Sequence, residues 1–406
     1  MHHIDRRSFL RQTAVSVVSL GVTVPLWLRT AHATLETADD RYLVLIQLTG
    51  GNDALNTVVP YHHDEYYRRR PGLALRPAEL IRLDERFGLH PSLSTWEPLW
   101  KEGDLAIIHG VGYPQPDRSH FRSLDIWHTA DPQVHTPRTG WLGRAVDFQS
   151  EHHPELSWQA AALGMNRLPA ALLAERAVCP VIRDGQEYQL HQPLPSALHP
   201  LRTSIGQQLL TEPTPDSRLQ QLRRMACMSL ETATRLARLA QEPSRAEYPS
   251  HTLARHLQVV AQLIHTGFSA RVYLVAQDGY DTHALQLPGH AVLLRELAES
   301  VAAFVRDLSQ RGLRSRVLIA TYSEFGRRVE ENGSLGTDHG AAAAQFMLLP
   351  GHGGMYGEPP SLTELDDGDL RHTIDFRRLY ATWLQGWLRI PAHPILKGEY
   401  APLLQV

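Results

Sequence analysis

The chain has 406 residues, 43% hydrophobic and 20% charged, enough for one large domain or two ordinary ones with a sizeable core rather than disorder. A net charge of −3 with His neutral excludes the basic footprint of a nucleic-acid binder. Two cysteines, Cys179 and Cys227, neither in a CxxC, argue against a thiolate zinc site and leave one disulfide open, while 23 histidines admit metal binding or proton transfer.

Residues 1–33 read as a targeting segment. Asp5-Arg6-Arg7-Ser8-Phe9-Leu10 has the twin-arginine export pattern, and Ala31-His32-Ala33 matches an A-x-A cleavage site. The weakly apolar run between them, 13–28, carries Thr13, Ser16, Ser19, Gly21, Thr23 and Pro25, too polar and short for a membrane span. An uncleaved anchor helix is the alternative. With cleavage the mature chain begins near Thr34. It has no stable membrane span, meets the twin-arginine export machinery as its partner, and ends in the periplasm or outside the cell.

Residues 42–48, Tyr-Leu-Val-Leu-Ile-Gln-Leu, predict a central strand buried on both faces. It stops in Thr49-Gly50-Gly51-Asn52-Asp53, where two glycines permit a sharp turn and close approach to a ligand. Asp53 is placed there either as a metal ligand or as a turn or helix cap. The Arg68-Arg69-Arg70 run reads as a solvated face. A second strand over 105–109 leads to Asp117-Arg118-Ser119-His120-Phe121 and a helix over 119–129. Ser119 falls at its N-cap, where backbone N–H groups and the helix dipole favour an anion; it suits either a simple cap or a nucleophile toward phosphate or sulfate.

Thr139-Gly140 turns into another helix, and 150–205 reads as an irregular, surface-weighted insertion. Amphipathic helices follow over 216–240 and 250–265, suited to a lid or an oligomer surface. The strand at 270–277 ends in Asp278-Gly279-Tyr280-Asp281-Thr282-His283. An extended Asp-x-His turns Asp281 and His283 to one side, within reach of one ion; Asp278 is a ligand or a turn former. A helix over 291–311 then returns to Val317–Tyr322, a parallel crossover. That strand stops at Ser323-Glu324, and Asp338-His339-Gly340 opens the next apolar run. Glu324, Asp338 and His339 are metal-ligand types at strand ends, where α/β enzymes build sites. The plainer reading pairs Glu324 with Arg327 or Arg328 and makes Asp338-His339 a turn cap. The tail holds a helix over 376–388 and shows no chemistry.

Five strand-end motifs, at 49–53, 117–121, 278–283, 322–327 and 337–340, together with the export pattern, resemble the DUF1501 family of exported bacterial proteins, grouped with the alkaline phosphatase-like superfamily. The resemblance spans the mature chain and implies an α/β fold: a doubly wound, mainly parallel sheet with helices on both faces. Residues 34–406 would form one domain, with a helical insertion at about 150–265. It further implies a divalent metal (zinc, manganese or calcium), one or two ions, and hydrolysis of a small anionic phosphate or sulfate ester. By position, Asp53 resembles the first acidic ligand, Ser119 the nucleophile, Asp281 and His283 the Asp/His pair, and His339 the last His. Glu324 stands where an Asp-His dipeptide is expected, so Asp338 or His120 would have to supply the missing group. His120 or Arg118 would stabilise developing oxyanion charge. A non-catalytic secreted binding or accessory protein on the same scaffold is the alternative.

Overall fold

A computed structural model of the protein describes residues 41–153, 159–182, 223 and 246–406. The stretch read as an export signal, the stretch 216–240 read as a helix (apart from Arg223), and Cys227 lie outside these residues. Cys179 is buried and free; burial pushes its thiol up to about 12.

Eight strands form a continuous path through the main sheet. In chain order they are β1 (Tyr42–Thr49), β2 (Leu105–Gly112), β3 (Gln159–Leu163), β4 (Val181–Ile182), β5 (Ala270–Asp278), β6 (Val317–Tyr322), β7 (Ala343–Leu348) and β8 (Gly354–Tyr356). Their spatial order is β8-β2-β7-β6-β1-β5-β3-β4. A short ninth strand, β9 (Ile374–Asp375), also pairs with β2. The centre is parallel: β1 lies between β5 and β6, with Thr49 opposite Asp278 and Gln47 opposite Tyr322.

β7 is the exception. It runs antiparallel to both β6 and β2. This single reversal makes the chain before β7 begin at the edge where β6 ends. The carboxyl ends of β1, β2, β5 and β6 and the start of β7 therefore share one rim.

Strand β1 alternates between two cores. Val44, Ile46 and Leu48 join the face covered by α3 (Thr252–His265) and α4 (Gln286–Gln310). Leu43 and Leu45 join the face covered by α1 (His120–Thr129), α2 (Trp141–His152) and α5 (Phe376–Ala381). A strand buried on both faces loses its apolar/polar alternation, hence the unbroken apolar run. The fold is accordingly α/β, with a mostly parallel sheet and helices on both sides.

Three differences from the sequence reading stand out, the first two with a physical cause. The stretch read as irregular contains β3, whose Ala160–Ala162 segment is buried beside β5; alanine has weak strand propensity, so tertiary pairing decides it. Helix α4 starts five residues earlier than the predicted 291, because Pro288 is tolerated in a first turn. The tail helix changes to a π-helical stretch at Thr382–Leu388.

Candidate metal centre

The rim is assembled by close backbone approach. The Tyr280 N–H donates to the Thr49 carbonyl at 3.0 Å, joining the loops after β5 and β1. Gly50 has φ +116°, and a Cβ there would stand 2.4 Å from the Asp281 nitrogen, so only glycine allows this contact.

Asp281, His283 and His339 converge at this rim. Asp281 Oδ1 lies 3.0 Å from His339 Nε2 and 3.1 Å from His283 Nε2. The two Nε2 atoms are 2.9 Å apart. Each ring is oriented from behind. His339 Nδ1 donates to the Arg118 carbonyl at 2.7 Å, and His283 Nδ1 donates to Asp338 Oδ1 at 3.1 Å. Both acceptors lack hydrogens, so the Nδ1 atoms carry the protons and neutral rings present bare Nε2 lone pairs. Two such lone pairs and a carboxylate oxygen at hydrogen-bond range repel one another unless a positive charge lies among them.

His120 completes the group from the start of α1. His120, Asp281 and His339 each bring one donor atom within 4.8 Å of the others. His120 Nδ1 donates to Glu324 Oε1 at 2.9 Å, leaving Nε2 facing Asp281 Oδ2 at 3.5 Å. The Glu324 bond raises the His120 pKa above the ordinary imidazole value, against the effect of burial, and the Asp281 charge adds to it. Glu324 is fully buried; Oε1 also accepts the Gly50 N–H at 2.8 Å, and Oε2 has no hydrogen-bond partner.

Arg327 holds the charge balance. Its buried guanidinium donates to the carbonyls of Gly51, Thr337, Gly50 and Tyr280 and, at 2.7 Å, to Asp281 Oδ1. Partial burial favours a neutral Asp281, but the Arg327 guanidinium outweighs it and the carboxyl pKa falls to about 2.

Asp53 is a correction. It lies past β1 as expected, but its carboxylate is taken up elsewhere. Arg70 donates to Oδ2 at 2.5 Å, Gln286 to the same oxygen at 2.5 Å, and the Leu55 N–H to Oδ1 at 3.2 Å. Burial works against ionisation, yet the Arg70 guanidinium holds Asp53 below the usual carboxylate range. A fixed buried cation occupies this carboxylate, so Asp53 stands apart from the histidine cluster. The Arg run is corrected with it: Arg68 is exposed, but Arg70 is fully buried.

Glu324 and Asp338 stand behind His120 and His283 and orient them. Glu324 pairs with neither adjacent arginine, since Arg327 goes to Asp281 and Arg328 to Asp367 and Asp369. Asp338 is further held by Asn332 Nδ2 at 3.1 Å. Asp278 ends β5 exposed to solvent. The Arg118 side chain turns to Asp369, at 2.6 Å, and Asp367, at 3.0 Å, rather than toward the cluster; its carbonyl is what serves the site.

Ser119 is the N-cap of α1, is exposed, and makes no side-chain cap hydrogen bond. Both its neighbours are pinned to the cluster, Arg118 through its carbonyl and His120 through its ring. Arg70, Gln286 and Arg327 were missed because their partners are far away in sequence; only the Arg-rich composition of 68–70 and 327–328 hinted at charge to be neutralised.

A family model described as "Protein of unknown function (DUF1501)" matches residues 40–397. No curated protein matches the chain. Among solved structures, it is similar to the C-terminal periplasmic domain of EcEptC from Escherichia coli in complex with Zn, at 8% identity over 76% of this chain and 73% of that one, with a TM-score of 0.35. It is also similar to the lipoteichoic acid synthase LtaP from Listeria monocytogenes, at 7% identity over 79% and 67% of the two chains, TM-score 0.34. A third is alkaline phosphatase from the Antarctic bacterium TAB5, at 8% identity over 78% and 94%, TM-score 0.32. Likeness of this order says nothing about chemistry, which rests on the side chains above.

Proposed function

The chain belongs to the DUF1501 family, and we propose from that premise and the rim geometry that it is a one-cation hydrolase of phosphate or sulfate esters. The observation that carries this reading is the 2.9 Å approach of two bare imidazole nitrogens beside Asp281 Oδ1. Asp281, His283 and His339 would hold the ion, with His120 adjacent. Two imidazoles and a carboxylate suit zinc or manganese better than calcium, which prefers an all-oxygen shell. When bound, the ion supplies Lewis-acid polarisation of the ester oxygens. A second ion does not fit at Asp53, which is 1% exposed with both oxygens taken by Arg70, Gln286 and the Leu55 N–H, whereas Asp281 is 47% exposed and keeps Oδ2 clear of Arg327.

The chain's own residues supply the rest. The open first turn of α1 favours the ester anion through its free N–H groups and dipole. Ser119 Oγ would attack the phosphorus or sulfur in line, its proton passing to solvent water; the new Oγ bond forms as the bond to the leaving oxygen breaks, that oxygen leaves as the alcohol after taking a proton from water, and a second water then cleaves the Oγ bond, releasing the acid and restoring the Ser119 hydroxyl. His120, with its raised pKa, balances charge developing on the ester. Glu324 and Asp338 keep His120 and His283 aimed throughout.

Elemental analysis should give one zinc or manganese per chain, and the loaded protein should turn over an aryl phosphate or an aryl sulfate. Ser119→Ala should retain the metal and lose turnover; full turnover in that variant removes the nucleophile. A second reading, a metal-bearing binding protein without catalysis, is favoured by the closed state of Asp53. Metal retention with no turnover of either ester would select it. The reading also includes export by the twin-arginine route: Arg6→Lys with Arg7→Lys should leave the chain in the cytoplasm, and periplasmic accumulation of that variant would refute this.

A further inference from the structure

Four large apolar side chains stand exposed among the described residues: Phe121 at 79%, Leu285 at 69%, Leu335 at 48% and Val292 at 41%. Three adjoin the metal centre in the chain. Phe121 follows His120, Leu285 follows His283 by two residues, and Leu335 precedes Asp338 by three. Leu285 and Leu335 are also neighbours in space, because the Leu285 N–H donates to the Ser334 carbonyl at 3.0 Å and the Gln286 N–H to the Leu335 carbonyl at 2.9 Å. Val292 lies two turns along α4 from Leu285, and Ala284, Pro288 and Gly289 are exposed between them. No Asp, Glu, Lys or Arg occurs from Ala284 to Leu294.

Backbone conformation is the independent observation. Leu285 has φ 45° and ψ 45°, and Leu335 has φ 55°. Both are left-handed, a region that glycine or asparagine enters freely and that a bulky side chain enters only under strain. Neither leucine is buried, and Leu335 has only Gly72 beneath its tip, so core packing does not repay this strain. Two strained, exposed leucines, joined through their backbones and set two residues from His283 and three from Asp338 in the chain, point to something apolar that they meet.

On the ester-hydrolase reading, we infer that Leu285 and Leu335, continued by Val292 and with Phe121 beside His120, form an apolar rim for the organic part of the substrate. The substrate is thereby an amphiphile: an alkyl phosphate or sulfate whose charged head sits at the cation and whose chain lies over the leucines. A small polar ester, such as a sugar or glycerol ester, would leave the rim uncovered.

The test uses the zinc- or manganese-loaded full chain and the double variant Leu285→Gly/Leu335→Gly. Glycine accepts both left-handed positions, so the variant should keep its melting temperature and metal content. Calorimetry is run with dodecyl phosphate, below its micelle concentration, and with inorganic phosphate. The wild type should bind dodecyl phosphate at least about tenfold more tightly than inorganic phosphate, in line with burial of a few methylenes. The double variant should bind inorganic phosphate as before and lose the alkyl advantage. Equal affinity for the two ligands in the wild type, or an advantage that survives both glycines, overturns the rim. Binding of neither ligand overturns the hydrolase reading and the rim together.

Discussion

His339 illustrates how one side chain is committed from both ends. Its Nδ1 is spent on the Arg118 carbonyl, which leaves Nε2 the only atom free to meet a cation. His339→Ala should therefore weaken zinc or manganese binding by more than about a hundredfold, beyond what the loss of an orienting neighbour usually causes; unchanged metal affinity by competition with a chromophoric chelator would remove it from the site. Asp53 predicts the opposite pattern. Asp53→Asn strands the Arg70 guanidinium in the interior, where both side chains are at most 1% exposed, and a broken buried pair costs about 3–5 kcal/mol. Urea unfolding should show that loss while the metal content stays the same. A fall in metal content with unchanged stability would instead make Asp53 a ligand. At Asp281 the carboxyl pKa falls to about 2, so its share of stability is complete above the ordinary carboxylate range and is lost progressively as pH falls from there through about 2.

Among the elements, the loop after β1 is central, because it touches the loops after both β5 and β6. Gly50 donates to Glu324 and accepts from Arg327, while its α-carbon faces the Asp281 backbone. Gly50→Ala adds a methyl that must displace that backbone, in a φ region that alanine avoids. It should lower both the melting temperature and the metal affinity, although no ligand changes. Wild-type affinity in a folded Gly50→Ala chain would show that the loops tolerate separation. Helix α1 has the complementary role: by starting at His120 it places a ring, a carbonyl and a hydroxyl from three successive residues at one edge.

For the molecule as a whole, acid stability follows from histidines buried as neutral rings. Burial lowers the pKa of His90, His109 and His128 to about 4 each and of His290 to about 3. The unfolded chain takes up these protons near the ordinary value of about 6.5. Below that pH the unfolded state binds more protons than the native one, so stability falls with falling pH, by up to about 1.4 kcal/mol per pH unit for each ring. The stability these rings contribute is complete above about 6.5 and is lost as pH falls toward about 4. The urea midpoint should drop clearly between pH 7 and pH 5; a flat profile there would show that these rings titrate normally.

The central strands were legible in the sequence because burial on both faces writes an uninterrupted apolar run, as at Val317–Tyr322. So were the groups that gather at the rim, His120, Asp281, His283, Glu324, Asp338 and His339, since each stands beside a strand end or opens a helix. What each of them does was not legible. A candidate ligand and its orienting partner are the same residue types, and only the partners met in the fold, histidines at Asp281 and Arg70 with Gln286 at Asp53, tell the two aspartates apart. The reversed direction of β7, the buried guanidiniums of Arg70 and Arg327, and the Ala-rich strand β3 depend on partners far away in the chain. Local pattern reports whether a residue is buried and in which conformation; which charge it meets there is decided only when distant loops close on one another.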